Sequence, residues 1–213
     1  MIRYDYSEAI YVEMVRQAFA AWDELAVRSG TRLLAPTGSC NFGPDDSPQL
    51  AAIEDNFRCV GIPFERLSAS KLNRKFPQFH LEHGSAAVFQ ANAGVLFADT
   101  AVKTIWNEAV SAGAKCVRGE RVDEIEHDGA YIHARSVSGQ TWIGQTLVIA
   151  AGGWAGHWAD RLKLQIPLTT TQEQLAYFAP KNGYDHSVGV MPNCIDYHTP
   201  HPFYCLPQVD VPG

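Results

Sequence analysis

The sequence holds no G-x-G-x-x-G turn, no P-loop, no G-x-S-x-G elbow and no H-E-x-x-H pair. Those absences exclude, in turn, a self-contained dinucleotide-binding βαβ unit, a nucleoside triphosphate cradle, a hydrolase nucleophile turn and a helix-borne zinc site. Basic blocks are missing too. Lysine and arginine number 17 against 23 aspartates and glutamates, for a net charge of -6. That balance argues against nucleic acid and against an anionic membrane surface as partners. No apolar run approaches the ~20 residues that span a bilayer. Cys40, Cys59, Cys116, Cys194 and Cys205 are odd in number and show no CxxC spacing. A disulfide framework or zinc site is therefore not expected, and a reducing cytoplasm is the expected compartment. MIRYDYSEAI carries charges where an export signal needs an apolar centre, so no such signal is expected.

What is present is a chain rich enough in apolar residues for a sizeable core, at 46% hydrophobic and 19% charged. Its most informative stretch is Thr146 to Trp154, TLVIAAGGW. Leu147, Val148 and Ile149 read as a strand buried on both faces. Small residues and two glycines follow, where backbone can turn sharply and a flat or charged group can approach. In open α/β sheets ligands sit outside strand carboxyl ends. The same letters also suit an ordinary strand-to-helix turn.

Elsewhere the punctuation predicts helices from Ser7 to Ser29, Ser47 to Val60, Ser68 to Phe76, Asp99 to Gly113 and Trp154 to Leu162. Tyr11, Met14, Ala18, Trp22 and Leu25 are the expected core stripe of the first. Val102, Ile105, Trp106, Ala109 and Val110 are that of the fourth. Thr31 to Gly43 reads as a hairpin turning at Pro36 to Gly38. Further strands are expected at 64–67, about a turn at 92–94, and at 114–117. Arg121 to Glu126, Ala130 to Val137 and Thr141 to Ile149 form an expected three-stranded meander. Pro167 to Phe178, Ser187 to Met191 and Phe203 to Leu206 are the last strand expectations. The fold class is α+β: a βαβ-like portion plus the meander, joined to a mixed or antiparallel sheet with flanking helices. His186, His198 and His201 lie in a Pro-rich stretch and read as loop residues rather than metal ligands.

Four blocks, taken together, point to a family. They are Ile2-Arg3 with the helix that follows and PTGSCNFGP; NAGVLFADTAV with AGAKC; GERVDEIE; and TLVIAAGGWAGHW with LKLQIPL. In this order and spacing the chain resembles the central portion of flavin-dependent amine oxidoreductases of the D-amino-acid-oxidase superfamily. The nearest branch is that of the sarcosine and N-methyltryptophan oxidases. The resemblance implies FAD as cofactor and a small amine or amino acid as substrate. It implies that Arg3 holds a substrate carboxylate, as a guanidinium fork can, and that Tyr204 lines the substrate side. It places Val122 at the adenine and Ala151, Gly152, Gly153 and Trp154 at the flavin. Residues 1–84 are then mainly substrate domain, 85–162 a partial FAD-binding domain and 163–213 the start of a second substrate-domain portion. Family members carry a glycine-rich phosphate loop and a later lysine that have no counterpart here. The expectation is a fragment that binds FAD weakly or not at all, open to a complementary polypeptide or to self-association. The rival expectation is a non-catalytic binding or assembly module on the same scaffold.

Overall fold

The computed structural model describes residues 1–180 and 183–209. The closing residues of VDVPG beyond Val209, read from sequence as lacking a helix, lie outside them. Two compact units form: 1–113 with 177–213, and 114–176.

The first unit is built on a five-stranded mixed sheet. Its strands are β2 (Ser39–Pro44), β3 (Glu65–Ser68), β4 (Ser85–Gln90), β9 (Asn193–Asp196) and β10 (Phe203–Cys205). They lie in the order β10-β9-β2-β4-β3, with only β2 and β9 parallel. Alternation along β4 divides the core. Ala86 and Val88 face α1 (Ala9–Ser29) and α2 (Pro48–Val60), packing with Val12, Leu50, Ile53 and Phe57. Ala87 faces the other way, onto Cys40, Phe42, Leu67 and Leu72, the last from α3 (Ala69–Lys75). A two-stranded ribbon, β1 (Leu34–Pro36) with β5 (Gly94–Leu96), completes the strands of this unit. Leu33 beside it packs with Leu25 of α1 and Ala101 of α4 (Ala98–Ser111).

Several boundaries follow the sequence chemistry. Ser47 accepts a hydrogen bond from the Leu50 N–H at 3.5 Å, and Pro48 takes the first position of α2. Gly30 and Gly61 close their helices in the left-handed region, at φ 64° and 70°. α3 stops before Pro77.

Other expectations are corrected. β1 and β2 do not pair with each other: β1 takes β5, and β2 sits between β4 and β9. The Pro36–Gly38 turn thus passes the chain from one sheet to another. The cap of α1 is at Glu8, not Ser7, whose hydroxyl bonds the Glu8 carboxylate instead. Its core stripe runs one residue out of phase with the expected one over the first half, while Trp22 and Leu25 pack as expected. Val12, Val15, Phe19 and Leu25 pack inward while Tyr11 and Met14 are exposed. One residue is 100° on a helix, enough to exchange a buried for an exposed face. Likewise α4 turns Ala101 and Thr104 inward and leaves Val102, Ile105 and Val110 exposed. Residues 187–191 make only an isolated bridge, Ser187 to Gln208, and the strand forms later as β9.

The second unit carries the meander: β6 (Val122–His127), β7 (Ile132–Ser136) and β8 (Thr141–Gly144), antiparallel throughout. Asp128 builds the first turn by accepting the N–H groups of Ala130 and Tyr131 at 2.9 and 2.8 Å. Its other oxygen meets His133 Nε2 at 2.8 Å. The backbone N–H of Tyr131, then His133, then the N–H of Ala130 hold the Asp128 carboxyl well below the usual aspartate range. A 3-10 turn, Gly152–Trp154, leads into α5 (Ala155–Arg161).

Here the sequence reading fails most. β8 ends at Gly144, and 146–149 forms no strand among the described residues. Val148 is 83% exposed. An apolar run becomes a buried strand only when neighbouring strands offer it ladder partners, and none of the described strands does. Residues 114–117 and 167–178 also form no strand, so the βαβ-like portion is not present among the described residues.

Candidate functional site

The best-built polar arrangement lies on the α1/α2 side of the five-stranded sheet. In β2 the alternation Ser39, Asn41 against Cys40, Phe42 gives the strand one polar and one apolar face. Asp5 comes down on the polar face. Its Oδ2 accepts Ser39 Oγ–H at 3.0 Å and Asn41 Nδ2–H at 2.6 Å, and its side chain has no exposure. Arg3 stands above it. Arg3 Nη1 donates to the Asp5 carbonyl at 2.5 Å and lies 3.4 Å from Asp5 Oδ2. The guanidinium also covers the Tyr6 ring, 4.4 Å from its centroid. Among the described residues Nη2 and Nε make no hydrogen bond, so donors of the fork remain for another anion.

The segment that carries Arg3 is itself pinned. Ile2 and Gly94 exchange backbone hydrogen bonds at 2.8 and 2.9 Å, and Asn193 Nδ2 donates to the Gly94 carbonyl at 3.0 Å. Gly94 has to be glycine: a Cβ there would stand 2.4 Å from the Ala35 carbonyl oxygen. Buried Gln90 and Asn193 flank Ser39 in register. Asp5 Oδ1, Asn41 Oδ1, Asn193 Oδ1 and both amide atoms of Gln90 have no hydrogen-bond partner among the described residues. Such groups cost stability.

Tyr204 lies on β10, 54% exposed, opposite Ile195, which is itself opposite Asn41. Residues in register share a sheet face. Tyr204 is therefore on the face that Asp5 covers, two strand spacings or roughly 10 Å from β2. The structure thus brings Arg3 and Tyr204 to one face of one sheet.

The other sequence-predicted residues belong to the second unit. Val122 begins β6, half-buried, where the register with β7 shifts before Glu124. Ala151 accepts the Trp154 N–H at 3.0 Å and so closes the 3-10 turn. Gly152 has φ 53°, and a Cβ built on it meets nothing within 4 Å. Backbone here is open to close approach, the property a flat cofactor requires. Gly153 is tied from behind, its carbonyl accepting Thr170 Oγ1–H at 3.0 Å. Trp154 does not pack beneath the helix it precedes; it is 75% exposed. These residues fit contact with a flat group, but the unit offers no glycine-rich phosphate cradle among its described residues.

The sequence reading missed Asp5, Ser39 and Asn41. Their only sequence signal was the alternation in SCNFG. It also missed a relay in the first unit: Ser85 Oγ to His198 Nε2 at 3.0 Å, and His198 Nδ1 to Asp196 Oδ1 at 2.6 Å. The order of groups is that of a nucleophile, base and orienting carboxylate. The Ser85 N–H, however, donates to the Glu82 carbonyl at 3.2 Å and is not available to an oxyanion. The relay instead ties the start of β4 to the residues after β9. No metal-binding cluster of histidine, cysteine or carboxylate exists among the described residues. No helix there is long and apolar enough to cross a membrane.

Known proteins resemble this chain over most of its length. The family described as DAO, FAD dependent oxidoreductase, matches residues 1–210. Peroxisomal sarcosine oxidase of Mus musculus is 28% identical over 216 residues, covering 100% of this chain and 55% of that protein. N-methyl-L-tryptophan oxidase of Yersinia pestis (strain Pestoides F) is 28% identical, covering 88% of this chain and 49% of that protein. The structure of NikD, an unusual amino acid oxidase essential for nikkomycin biosynthesis, in its open form, superposes with a TM-score of 0.76 at 18% identity. It covers 97% of this chain and 54% of that one. The chain spans about half the length of the curated relatives it matches.

Proposed function

The chain belongs to the DAO family of FAD-dependent oxidoreductases. From that premise we propose that it supplies the substrate-carboxylate side of an enzyme oxidising the C–N bond of a secondary amino acid or similar amine. The observation that carries this reading is the Arg3–Asp5–Ser39–Asn41 arrangement. A buried carboxylate, fixed by two donors from β2, holds a guanidinium by one nitrogen and leaves the other nitrogens without a hydrogen bond among the described residues. A substrate carboxylate bound on those nitrogens gains a charge-assisted, two-point contact that sets its orientation. Asp5 is in this scheme a positioning residue. The orphaned polar atoms around it are consistent with a region shaped for binding rather than for stability. Tyr204 lines the same face and walls the substrate.

In this reading 1–84 and 163–213 are mainly substrate-side and 85–162 flavin-side. FAD, when bound, supplies the acceptor for a hydride equivalent from the carbon next to nitrogen. Val122 offers backbone to the adenine, and Ala151, Gly152, Gly153 and Trp154 form one wall at the flavin. The protein acts in the cytoplasm on a small amine, and the chain alone binds FAD weakly and turns over nothing. Two observations support that last point: the share of the relatives' length that is covered, and the exposure of apolar Val102, Ile105 and Val148. The same exposed residues suit a complementary polypeptide or self-association.

The test is titration of the expressed chain with FAD, followed by bound-flavin absorbance, with N-methylated amino acids as substrates. Stoichiometric flavin with amine oxidation would overturn the incompleteness. For the whole protein, flavin reduction by a carboxylate-bearing amine is expected. It should weaken sharply in Arg3→Ala and respond less to the uncharged amine analogue that lacks the carboxylate. Equal response to both substrates would overturn the role given to Arg3.

A further inference from the structure

Three of the five cysteines stand in one row across the sheet. Cys40 of β2 is in register with Cys194 of β9, and Cys194 with Cys205 of β10. The sequence gives no hint of this, since the three are far apart in the chain and share no spacing motif. In the fold they line the face opposite Asn41 and Tyr204. Cys194 and Cys205 are the antiparallel pair of this row. Directly opposed residues of antiparallel strands have Cα atoms about 4.5–5.5 Å apart. That separation lies inside the range a disulfide accepts, about 4.4–6.8 Å. All five thiols are free in the structure.

We propose that Cys194 and Cys205 form a peroxide-sensitive dithiol, oxidised to a cross-strand disulfide that locks the edge strand β10 to β9. The two sulfurs differ in the way such a pair requires. Cys205 is half-buried, at the sheet edge, while Cys194 is buried. The neighbouring Cys194 thiol lowers Cys205 below its usual value, and the neighbouring Cys205 together with burial raises Cys194. Cys205 is thus the thiolate that reacts first, and Cys194 the thiol that resolves it. Cys40 is buried, and desolvation pushes its thiol upward, which leaves it a spectator.

The chemistry balances with hydrogen peroxide as the oxidant. The Cys205 thiolate attacks one peroxide oxygen; an S–O bond forms, the O–O bond breaks, and the departing hydroxide takes a proton to become water. The Cys194 sulfur then attacks the Cys205 sulfenic acid. The S–S bond forms, the S–O bond breaks, and a second water leaves with the Cys194 proton. Two thiols lose two electrons and one peroxide becomes two waters. No flavin and no turnover are needed, so the proposal stands apart from the functional reading above.

The experiment treats the folded 213-residue chain with dilute hydrogen peroxide, alkylates remaining thiols, and maps peptides by mass spectrometry without reduction. The expected result is one linked peptide pair joining Cys194 to Cys205, two hydrogens lighter than the separate peptides. Titratable thiols fall from five to three, and dithiothreitol restores all five. Cys205→Ser, a conservative change at a half-buried edge site, should abolish the linkage. The same treatment in urea should give a scrambled set of pairs instead. Five reactive thiols after peroxide, a link to Cys40 or Cys59 in place of Cys205, over-oxidation of Cys205 without linkage, or identical pairing in urea would each overturn the proposal. Because the wild-type map decides the matter, a Cys205→Ser chain that fails to fold does not rescue it.

Discussion

Replacing Asp5 by alanine is the sharpest perturbation of the polar arrangement beneath Arg3. The Asp5 carboxylate is fully buried and accepts from Ser39 and Asn41 while it pairs with Arg3. Alanine removes one acceptor and orphans two donors in a site that solvent does not reach. Leaving a buried polar group unpartnered costs about 1–3 kcal/mol, and breaking a buried charged pair about 3–5 kcal/mol. The terms overlap, because Arg3 keeps partial access to water, so about 3 kcal/mol is expected. At about 1.4 kcal/mol per tenfold, that is roughly a hundredfold in a local opening constant. Asp5→Asn keeps the shape and one acceptor but loses the charge. It should cost about 1 kcal/mol, the difference between a charged and a neutral hydrogen bond. Native-state hydrogen exchange of the β2 and β4 amides measures both, with the β6–β7 amides as an internal reference. Protection should fall in the order wild type, Asp5→Asn, Asp5→Ala. If both variants exchange within twofold of wild type, the network contributes nothing and the account of Arg3 positioning fails with it.

Gly94→Ala should destabilise the first unit by about 2 kcal/mol or more, since the new Cβ meets the rigid Ala35 carbonyl oxygen rather than a movable side chain. Lower urea midpoints and faster exchange at Ile2 and in β1 would register it; an unchanged midpoint would show that the ribbon shifts freely. The first turn of the meander should loosen in acid. Ionised Asp128 accepts two backbone N–H groups and His133 in the folded chain, and its carboxyl is held low. Its contribution is therefore complete above the ordinary aspartate range and is lost as pH falls below that range toward the lower folded value. Amide chemical shifts of Ala130 and Tyr131 against pH should titrate below an unstructured aspartate, and a midpoint at the ordinary value would contradict the hydrogen-bond pattern.

Local chemistry was legible and partner choice was not. Ser47, Pro48 and Gly61 set the ends of α2 by side-chain and backbone geometry within a few residues, and Asp128-Gly129 fixed its turn the same way. Such signals need no knowledge of the rest of the chain. Which strand lies beside which is decided by burial across long separations, and so Thr31 to Gly43 reads as a hairpin although its two strands pair elsewhere. Helix phase failed for a related reason. In α1, Val12, Val15 and Phe19 are as apolar as Tyr11, Met14 and Ala18, and only the neighbouring surface chooses between the two stripes. Of the site, Arg3 and Tyr204 entered through resemblance. Asp5 and Asn41 are brought together from 36 residues apart in the chain, which no local signal announces. TLVIAAGGW shows the converse limit: its letters describe a buried strand, yet its setting here leaves it exposed.

The parallel pairing of β2 with β9 also has a consequence in time. β9 lies on the far side of the whole second unit in the chain, so the centre of the first unit's sheet is assembled from pieces made far apart. At about 5–20 residues per second, the roughly 150 intervening residues take on the order of ten to thirty seconds to emerge from a ribosome. Throughout that interval β2 presents an unpaired edge bearing Ser39, Asn41 and Phe42. Synthesis rate and chaperone supply, rather than final stability alone, then govern how much of the chain reaches the native sheet.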